Sequence, residues 1–412
     1  MIYSSINETV GNTPLLKIKQ KTHGIKNATI YAKMELMNPF GSVKDRIAKN
    51  IYGDKKEEIA KKKTVIESSS GNTAKALASL TQRRHKFKTI TNRIKIEYVK
   101  KLLQVLDTEI VELPGTNECP DPTNPQNPLA VIEKEVGQSP DKYFHTNQYF
   151  NEENPKAHRE TGREILEDLP EVTDFFADIG TSGTTRGIGN YLREHTKKSP
   201  NIHGVLTEAG SYVPGGRDMN ELFETGFFQE EFYDELHTGT TDEAIDGMLD
   251  LIRGEGILCG PTTGLVFNCL KKALQDTEEE KTVVFVACDR MEPYIEYLEK
   301  NRPSIFNQTK EEEQDLPDPK QIDEEDIPRD ALLIDTRVPY AYRRNGYPNS
   351  INIPLQKLEE LLRQTTPVQK DQVVVLICAK GEKTKNLTSK LLQEGVEAYN
   401  LKGGIAKSSK VS

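Results

Sequence analysis

Short apolar runs alternate with stretches of helical periodicity along the first three hundred residues. "ATIYAKME" (28–35), "TVIESSS" (64–70), "DFFADIG" (174–180), "IHGVLTEAG" (202–210) and "KTVVFVACD" (281–289) read as strands. "KDRIAKNIYGDKKEEIAKKK" (44–63) and "NTAKALASLTQRR" (72–84) read as helices. This βα alternation predicts an α/β fold, a mostly parallel sheet with helices on both faces. Ligands in such sheets bind beyond the carboxyl ends of strands, so the loops directly after strands are where chemistry is sought.

The pattern stops at residues 311–326, "EEEQDLPDPKQIDEED", where nine acids face one lysine. A self-repelling, apolar-poor run is expected to be extended. It divides the chain into residues 1–300, an acidic linker 301–326 and a C-terminal domain 327–412. In the last of these, "ALLIDTRVPYAYRRNGYPNSINIPL" and "QVVVLICAKGEKTKNLTSKLLQEGVEAYNLKGGIA" supply two apolar strands, an amphipathic helix and a final strand. A small α/β unit is expected there.

Composition narrows the partners. A net charge of −9 argues against nucleic acid, and no apolar run is long enough to span a bilayer. The five cysteines (Cys119, Cys259, Cys269, Cys288, Cys378) are scattered and form no C-x-x-C pair. No disulfide framework and no metal site is expected from them, and a reducing cytoplasm is the natural setting. The first residues lack the basic and apolar regions of a secretory signal.

Three loops rich in Gly, Ser and Thr follow strands or open helices: "ESSSGNTAKA" (67–76), "GTSGTTRG" (180–187) and "LCGPTTGLV" (258–266). Such turns offer backbone N–H groups and a positive helix end to an anion, and they also serve as ordinary turns. Lys44 stands in "NPFGSVKDRIA" between a Gly-Ser turn and a helix start. There it is either a solvated lysine or, since the helix terminus disfavours an ammonium, an amine held ready for a Schiff base.

The series "GNTPLL", "NPFGSVKDR", "SSGNT", "NQYFNEENPKAHRETGREI", "GTSGTTRG" and "EGILCGPTTG" resembles the fold type II pyridoxal-phosphate enzymes, cysteine synthases above all, over residues 5–296. The resemblance implies pyridoxal 5'-phosphate as cofactor, two mostly parallel α/β subdomains and a homodimer. It implies that Lys44 binds the cofactor covalently and takes the Cα proton, and that Asn72 meets the cofactor's 3′-oxygen. Gly180, Thr181, Ser182, Gly183 and Thr184 match the phosphate cradle. Ser69, Ser70, Thr73 and Gln148 match the clasp for the substrate carboxylate. Thr262 falls where a hydroxyl meets the pyridine nitrogen; otherwise it caps a helix. A neutral hydroxyl leaves the ring a weaker electron sink, which suits β-elimination. Ala74 stands where the family usually has glycine.

"GGRDMNELFETGFFQEEFYD" resembles the corresponding region of cysteine synthases that use O-phosphoserine. Arg217 is either a fork for a phosphate dianion or a surface arginine in an acidic loop.

In the C-terminal domain, Cys378 ends "VVVLIC" and heads the loop "AKGEKT". It is a buried strand-end thiol or a stabilised thiolate. With Gly381, Lys383 and Thr384 the loop resembles the catalytic loop of rhodanese domains, and "LIDTR" and "NSINIP" match that domain's opening. The combined reading is an enzyme forming L-cysteine from O-phosphoserine or O-acetylserine and sulfide, with sulfur delivered by Cys378. The alternatives are a cystathionine β-synthase, a serine/threonine dehydratase, or a non-catalytic sulfur carrier. The partners implied are small-molecule substrates, without nucleic acid or membrane.

Overall fold

The computed structural model describes residues 2–81, 84–92, 94–114, 127–306, 317–364 and 372–411. Cys119 and residues 307–316, which include the first six of the acidic run, lie outside them. The chain divides into two compact units, Met1–Phe306 and Asn307–Ser412.

Among the described residues the first unit holds ten strands: β1 (Leu15–Lys17), β2 (Ala28–Lys33), β3 (Thr64–Glu67), β4 (Lys86–Thr91), β5 (Glu109–Glu112), β6 (Tyr143–His145), β7 (Asp174–Asp178), β8 (Asn201–Thr207), β9 (Glu235–Gly239) and β10 (Lys281–Val286). They form a six-stranded sheet, β1-β2-β10-β7-β8-β9, and a four-stranded sheet, β5-β4-β3-β6. Every pairing is parallel except β1 with β2. The central strands are apolar on both faces because helices cover both: Phe175, Phe176, Val283, Val284, Phe285 and Val286 are fully buried. The helical run read over 44–63 breaks at Lys55 into Lys44–Asp54 and Lys56–Ala60. The polar strand β9 has too few apolar residues to announce itself in the pattern.

A buried ionic network binds together three of the sequence motifs. Arg46 forks onto Glu35 (2.7 and 2.8 Å) and onto Glu164 (2.8 and 2.7 Å). Lys33, fully buried, reaches Glu164 at 2.6 Å and the Thr13 carbonyl at 2.5 Å. The Thr13 hydroxyl donates to Glu35 at 2.6 Å, and the Asn12 N–H to Glu164 at 2.9 Å. "GNTP", the Lys44 segment and the Glu164 helix are thereby held in one arrangement. Arg46→Lys keeps the charge but loses the planar fork, leaving buried carboxylate oxygens unmatched. The expected cost is about 2 kcal/mol, read as a melting temperature lowered by a few degrees, with a full complement of secondary structure by circular dichroism.

The second unit is a five-stranded, all-parallel sheet in the order β11-β15-β14-β12-β13, with β11 (Gln321–Ile322), β12 (Leu332–Asp335), β13 (Ile351–Asn352), β14 (Val374–Ile377) and β15 (Ala398–Leu401). Its core is Ile334, Leu358, Val374, Leu376, Leu387, Leu391, Val396 and Ala398. The sheet begins at Gln321, inside the acidic segment that the charge pattern assigns to the linker. Ile322 is the only apolar residue of that two-residue strand, so its pairing with Leu401 is invisible in composition. At the other end of the expected linker, Pro303–Ile305 form a 3-10 turn within the first unit.

Candidate active site

In the first unit a cavity of about 260 Å³ opens beyond the carboxyl ends of β3, β7 and β8. Lys44, Ser69, Ser70, Asn72, Thr73, Gln148, Gly180, Thr181 and Arg217 all line it.

Lys44 is the first residue of its helix. The loop before it is fastened to the end of β10: Val43 N–H donates to the Cys288 carbonyl at 2.8 Å, and Ser42 pairs with Asp289 as an isolated bridge. Asp45 accepts the Phe40 N–H at 2.6 Å and the Ser42 hydroxyl at 3.2 Å, closing the turn from inside. Burial pushes the Asp45 carboxyl up to about 7 despite those bonds.

The loop after β3 is organised by Glu67. This buried carboxylate accepts the Thr146 hydroxyl (2.5 Å), the Gln148 N–H (3.1 Å) and the Ser68 N–H (2.8 Å), while burial raises it to about 7. Gln148 is fixed in orientation, since its amide nitrogen donates to the Ser68 carbonyl (2.9 Å) and its oxygen accepts from Thr73 (2.7 Å). The Ser69 hydroxyl accepts the N–H groups of Gly71 (3.3 Å) and Ala74 (3.1 Å), so it caps the Asn72–Thr81 helix while bordering the cavity.

Asn72 donates to Asp289 Oδ2 at 2.7 Å, and the Tyr294 hydroxyl donates to the same oxygen. Burial raises the Asp289 carboxyl, opposed by these two bonds and by Lys75. Asp289 therefore sets the direction of the Asn72 amide.

Ser182, with φ at 64°, occupies the position just before the helix Gly183–His195, and Gly180 and Thr181 lead into it. Gly180 and Thr181 line the cavity, and Ser182, Gly183 and Thr184 carry the same turn on into the helix. The Ser182 Oγ is buried without a hydrogen bond of proper geometry, and the Thr181 hydroxyl accepts from Asn154 at 2.9 Å. The Thr184 hydroxyl lies 3.2 Å from His158 Nε2; burial, with Lys44 and Arg46 nearby, holds that imidazole neutral. A Cβ on Gly183 would fall 2.1 Å from Asn154 Oδ1, so only glycine allows this terminus to seat. Thr262 is buried in the first turn of the helix Pro261–Leu274, with its methyl 3.6 Å from where a side chain on Gly215, a residue of the cavity lining, would begin.

Arg217 is 8% exposed, which excludes the surface reading. Its guanidinium donates to the Glu221 carbonyl (3.1 Å) and the Tyr149 hydroxyl (3.3 Å). The loop that carries it is anchored by Thr207 N–H to the Arg217 carbonyl (2.8 Å). Thr207 and Tyr149, to which no motif assigns a role, complete this wall.

These features fit a phosphorylated, anionic cofactor. A glycine-rich turn opens a long helix whose first N–H groups lack intrahelical partners, the residues leading into it, Gly180 and Thr181, line the cavity, and Lys44 lines the same cavity.

In the second unit Cys378 directly follows β14 and is 4% exposed. Burial raises its thiol, but the Thr384 hydroxyl and the N–H groups of Thr384, Lys380 and Lys383 outweigh it, and the net direction is down. Thr384 Oγ1 lies 3.4 Å from the sulfur and 2.5 Å from Asn400 Oδ1, while the Asn400 amide donates to the Gly381 carbonyl at 2.8 Å. Asn400, missed in the sequence, pins both ends of the loop. Gly381 has φ of 74°, and a Cβ there would meet the Gly403 N at 2.7 Å. Gly404 lets the chain close on the Cys378 carbonyl, which accepts the Ile405 N–H at 3.0 Å.

Comparisons with known proteins agree with this division. A family model for pyridoxal-phosphate dependent enzymes matches residues 6–289, and one for the rhodanese-like domain matches residues 318–410. Cysteine synthase B of Salmonella typhimurium is 31% identical over 298 residues, spanning 71% of this chain and 94% of that protein. The cystathionine beta-synthase of Apis mellifera is 33% identical over 317 residues, spanning 71% of this chain and 61% of that protein. Among solved structures, an O-acetyl serine sulfhydrylase isoform 3 from Entamoeba histolytica superposes with a TM-score of 0.63 at 28% identity, covering 72% of this chain and 91% of that one.

Proposed function

The chain belongs to the pyridoxal-phosphate dependent enzyme family, in its fold type II branch with a rhodanese-like domain following, and on that premise we propose that it joins sulfur to Cβ of an activated serine to form L-cysteine. The observation that carries this reading is the convergence on one cavity of Lys44, the 68–73 loop, the turn at Gly180–Thr181 and Arg217.

When bound, the cofactor supplies an electron sink for the charge left at Cα. Lys44 is the residue to hold it covalently and then to take the Cα proton, being anchored through Val43 to β10. The terminus from Ser182 to Thr184 would receive its phosphate. Asn72, oriented by Asp289, would meet the ring oxygen. Thr262 would face the ring nitrogen; a neutral hydroxyl there favours loss of a β-leaving group over long-lived charge at Cα. The Gln148 and Thr73 pair, with Ser69 and Ser70, borders the place for the substrate carboxylate.

Arg217 assigns the leaving group. A buried guanidinium on the cavity wall suits a phosphate dianion better than an acetyl ester, so O-phosphoserine is the preferred donor. The test compares kcat/KM for O-phosphoserine and O-acetylserine with sulfide as acceptor. Wild type should favour the phosphate ester, and Arg217→Ala should lower that preference about 10- to 100-fold. An unchanged ratio would remove Arg217 from donor selection.

The competing reading, cystathionine synthesis, rests on the match to the Apis mellifera enzyme. Product analysis separates the two: cysteine should form with sulfide, and cystathionine with homocysteine should form far more slowly. A cytoplasmic homodimer is part of the same proposal, checked by light scattering of the purified chain.

The rhodanese-like domain completes the proposal as sulfur donor. The Cys378 thiolate attacks the outer sulfur of a thiosulfate-class donor; that sulfur transfers to the cysteine and sulfite leaves. A thiol reductant then supplies two electrons, becoming a disulfide, and hydrosulfide is released as acceptor. Tethering to the first unit raises the local concentration of that sulfur.

A further inference from the structure

Strands β7, β8 and β9 lie side by side, and their amino-terminal halves, away from the cavity, carry Asp174, His203, Glu235 and His237. His203 Nδ1 is 3.0 Å from His237 Nε2. Glu235 Oε2 is 3.8 Å from the first nitrogen and 3.5 Å from the second. Two ligands bound at about 2.0–2.1 Å to a tetrahedral ion stand about 3.3–3.4 Å apart, so these three separations bracket that spacing.

What surrounds the donors prepares them. His203 is buried, and its other ring nitrogen faces Asp174 Oδ1 at 3.0 Å. That carboxylate is buried too, and accepts from Thr173 (2.7 Å) and Asn201 (3.1 Å). A proton held on Nε2 by Asp174 leaves the Nδ1 lone pair directed at His237 and Glu235. A carboxylate behind a histidine in this way orients metal-ligating imidazoles and raises their basicity. Phe176 stacks flat on His203, with centroids 3.9 Å apart and planes 1° apart, and the His237 ring stacks on the same phenyl at 5.6 Å. The rings cannot turn away from one another without losing this packing.

We propose that His203, Glu235 and His237 form a binding site for a divalent transition-metal ion of the zinc class, with water in the fourth position. No metal is used by the chemistry described above, and the proposal does not depend on it. The ion would clip β9, an edge strand, to β8. The two strands then end at the cavity loop, where Glu208 N–H donates to the Gly239 carbonyl at 2.8 Å, so the expected effect is on stability.

The test uses untagged, full-length holoenzyme stripped with chelator and titrated with Co²⁺ and with Zn²⁺. Wild type should take one Co²⁺ per chain, with the visible absorption of a four-coordinate ion, and saturating Zn²⁺ should raise Tm by several degrees. His237→Gln should abolish both signals while turnover stays unchanged. Glu235→Ala, at an exposed position where misfolding is not a concern, should weaken binding at least tenfold. Asp174→Asn should weaken it about 10- to 100-fold and keep the spectrum, which marks a positioning residue. The proposal is overturned if wild type binds no stoichiometric Co²⁺. It is equally overturned if binding survives His237→Gln and Glu235→Ala unchanged; the ion then sits elsewhere and the imidazoles share only a hydrogen bond.

Discussion

Lys44→Ala is expected to lower turnover by on the order of 10⁴-fold and to leave no cofactor bound to protein after borohydride reduction and denaturation. The reasoning is geometric. Lys44 lines the cavity at the start of its helix, and its backbone is fixed by Val43 to the end of β10 and by the turn that Asp45 closes. Lys95 also borders the cavity, with its ammonium 4.3 Å from the Tyr212 ring centroid, so it is the control position. Lys95→Ala should retain reducible cofactor, whereas Lys44→Ala should not. The Lys44 side chain takes no part in the Arg46 network, so the variant should melt close to wild type when both are stripped of cofactor. A Lys44→Ala protein that kept reducible cofactor and normal turnover would remove Lys44 from its assigned part.

Cys378→Ser should abolish cysteine formation when thiosulfate and a thiol reductant are the only sulfur source, and leave it nearly normal with added sulfide. The two outcomes separate because the substitution changes one atom at the end of β14 and nothing in the first unit. A serine hydroxyl is far less acidic than a thiol, so the donors that lower the Cys378 thiol cannot make it a comparable nucleophile. Mass spectrometry should find one extra sulfur on the Cys378 peptide of wild type after thiosulfate treatment. Equal loss with both sulfur sources would point to damaged folding, and no loss with either would leave the second domain without a part in this reaction. Asn400→Ala, which releases Thr384 and the Gly381 carbonyl, should reduce the thiosulfate-dependent rate alone.

How much of this was legible beforehand follows from range. The strands β2, β3, β7, β8 and β10 stand out because a parallel strand buried on both faces must be apolar along its length. The loops that carry Lys44, Asn72, Gly180 and Cys378 stand out because their turns require Gly, Ser and Thr in close succession. β9 and β11 did not stand out: one is a polar edge strand and the other two residues within an acidic run, and their pairing with β8 and β15 is their only signal. The helix break at Lys55 was equally silent, since the residues on both sides are good helix formers.

The sequence by itself determined the fold class and, through the family its motifs resemble, the cofactor, because those depend on local pattern and on short motifs. Tertiary structure decided everything that joins residues far apart in the chain. It set Asp289 behind Asn72, 217 positions away, and Glu164 against Arg46, 118 positions away. It buried Arg217 in the cavity wall and brought His203 to His237. A buried polar group must find its partner wherever the chain delivers one, and no spacing along the sequence records that meeting.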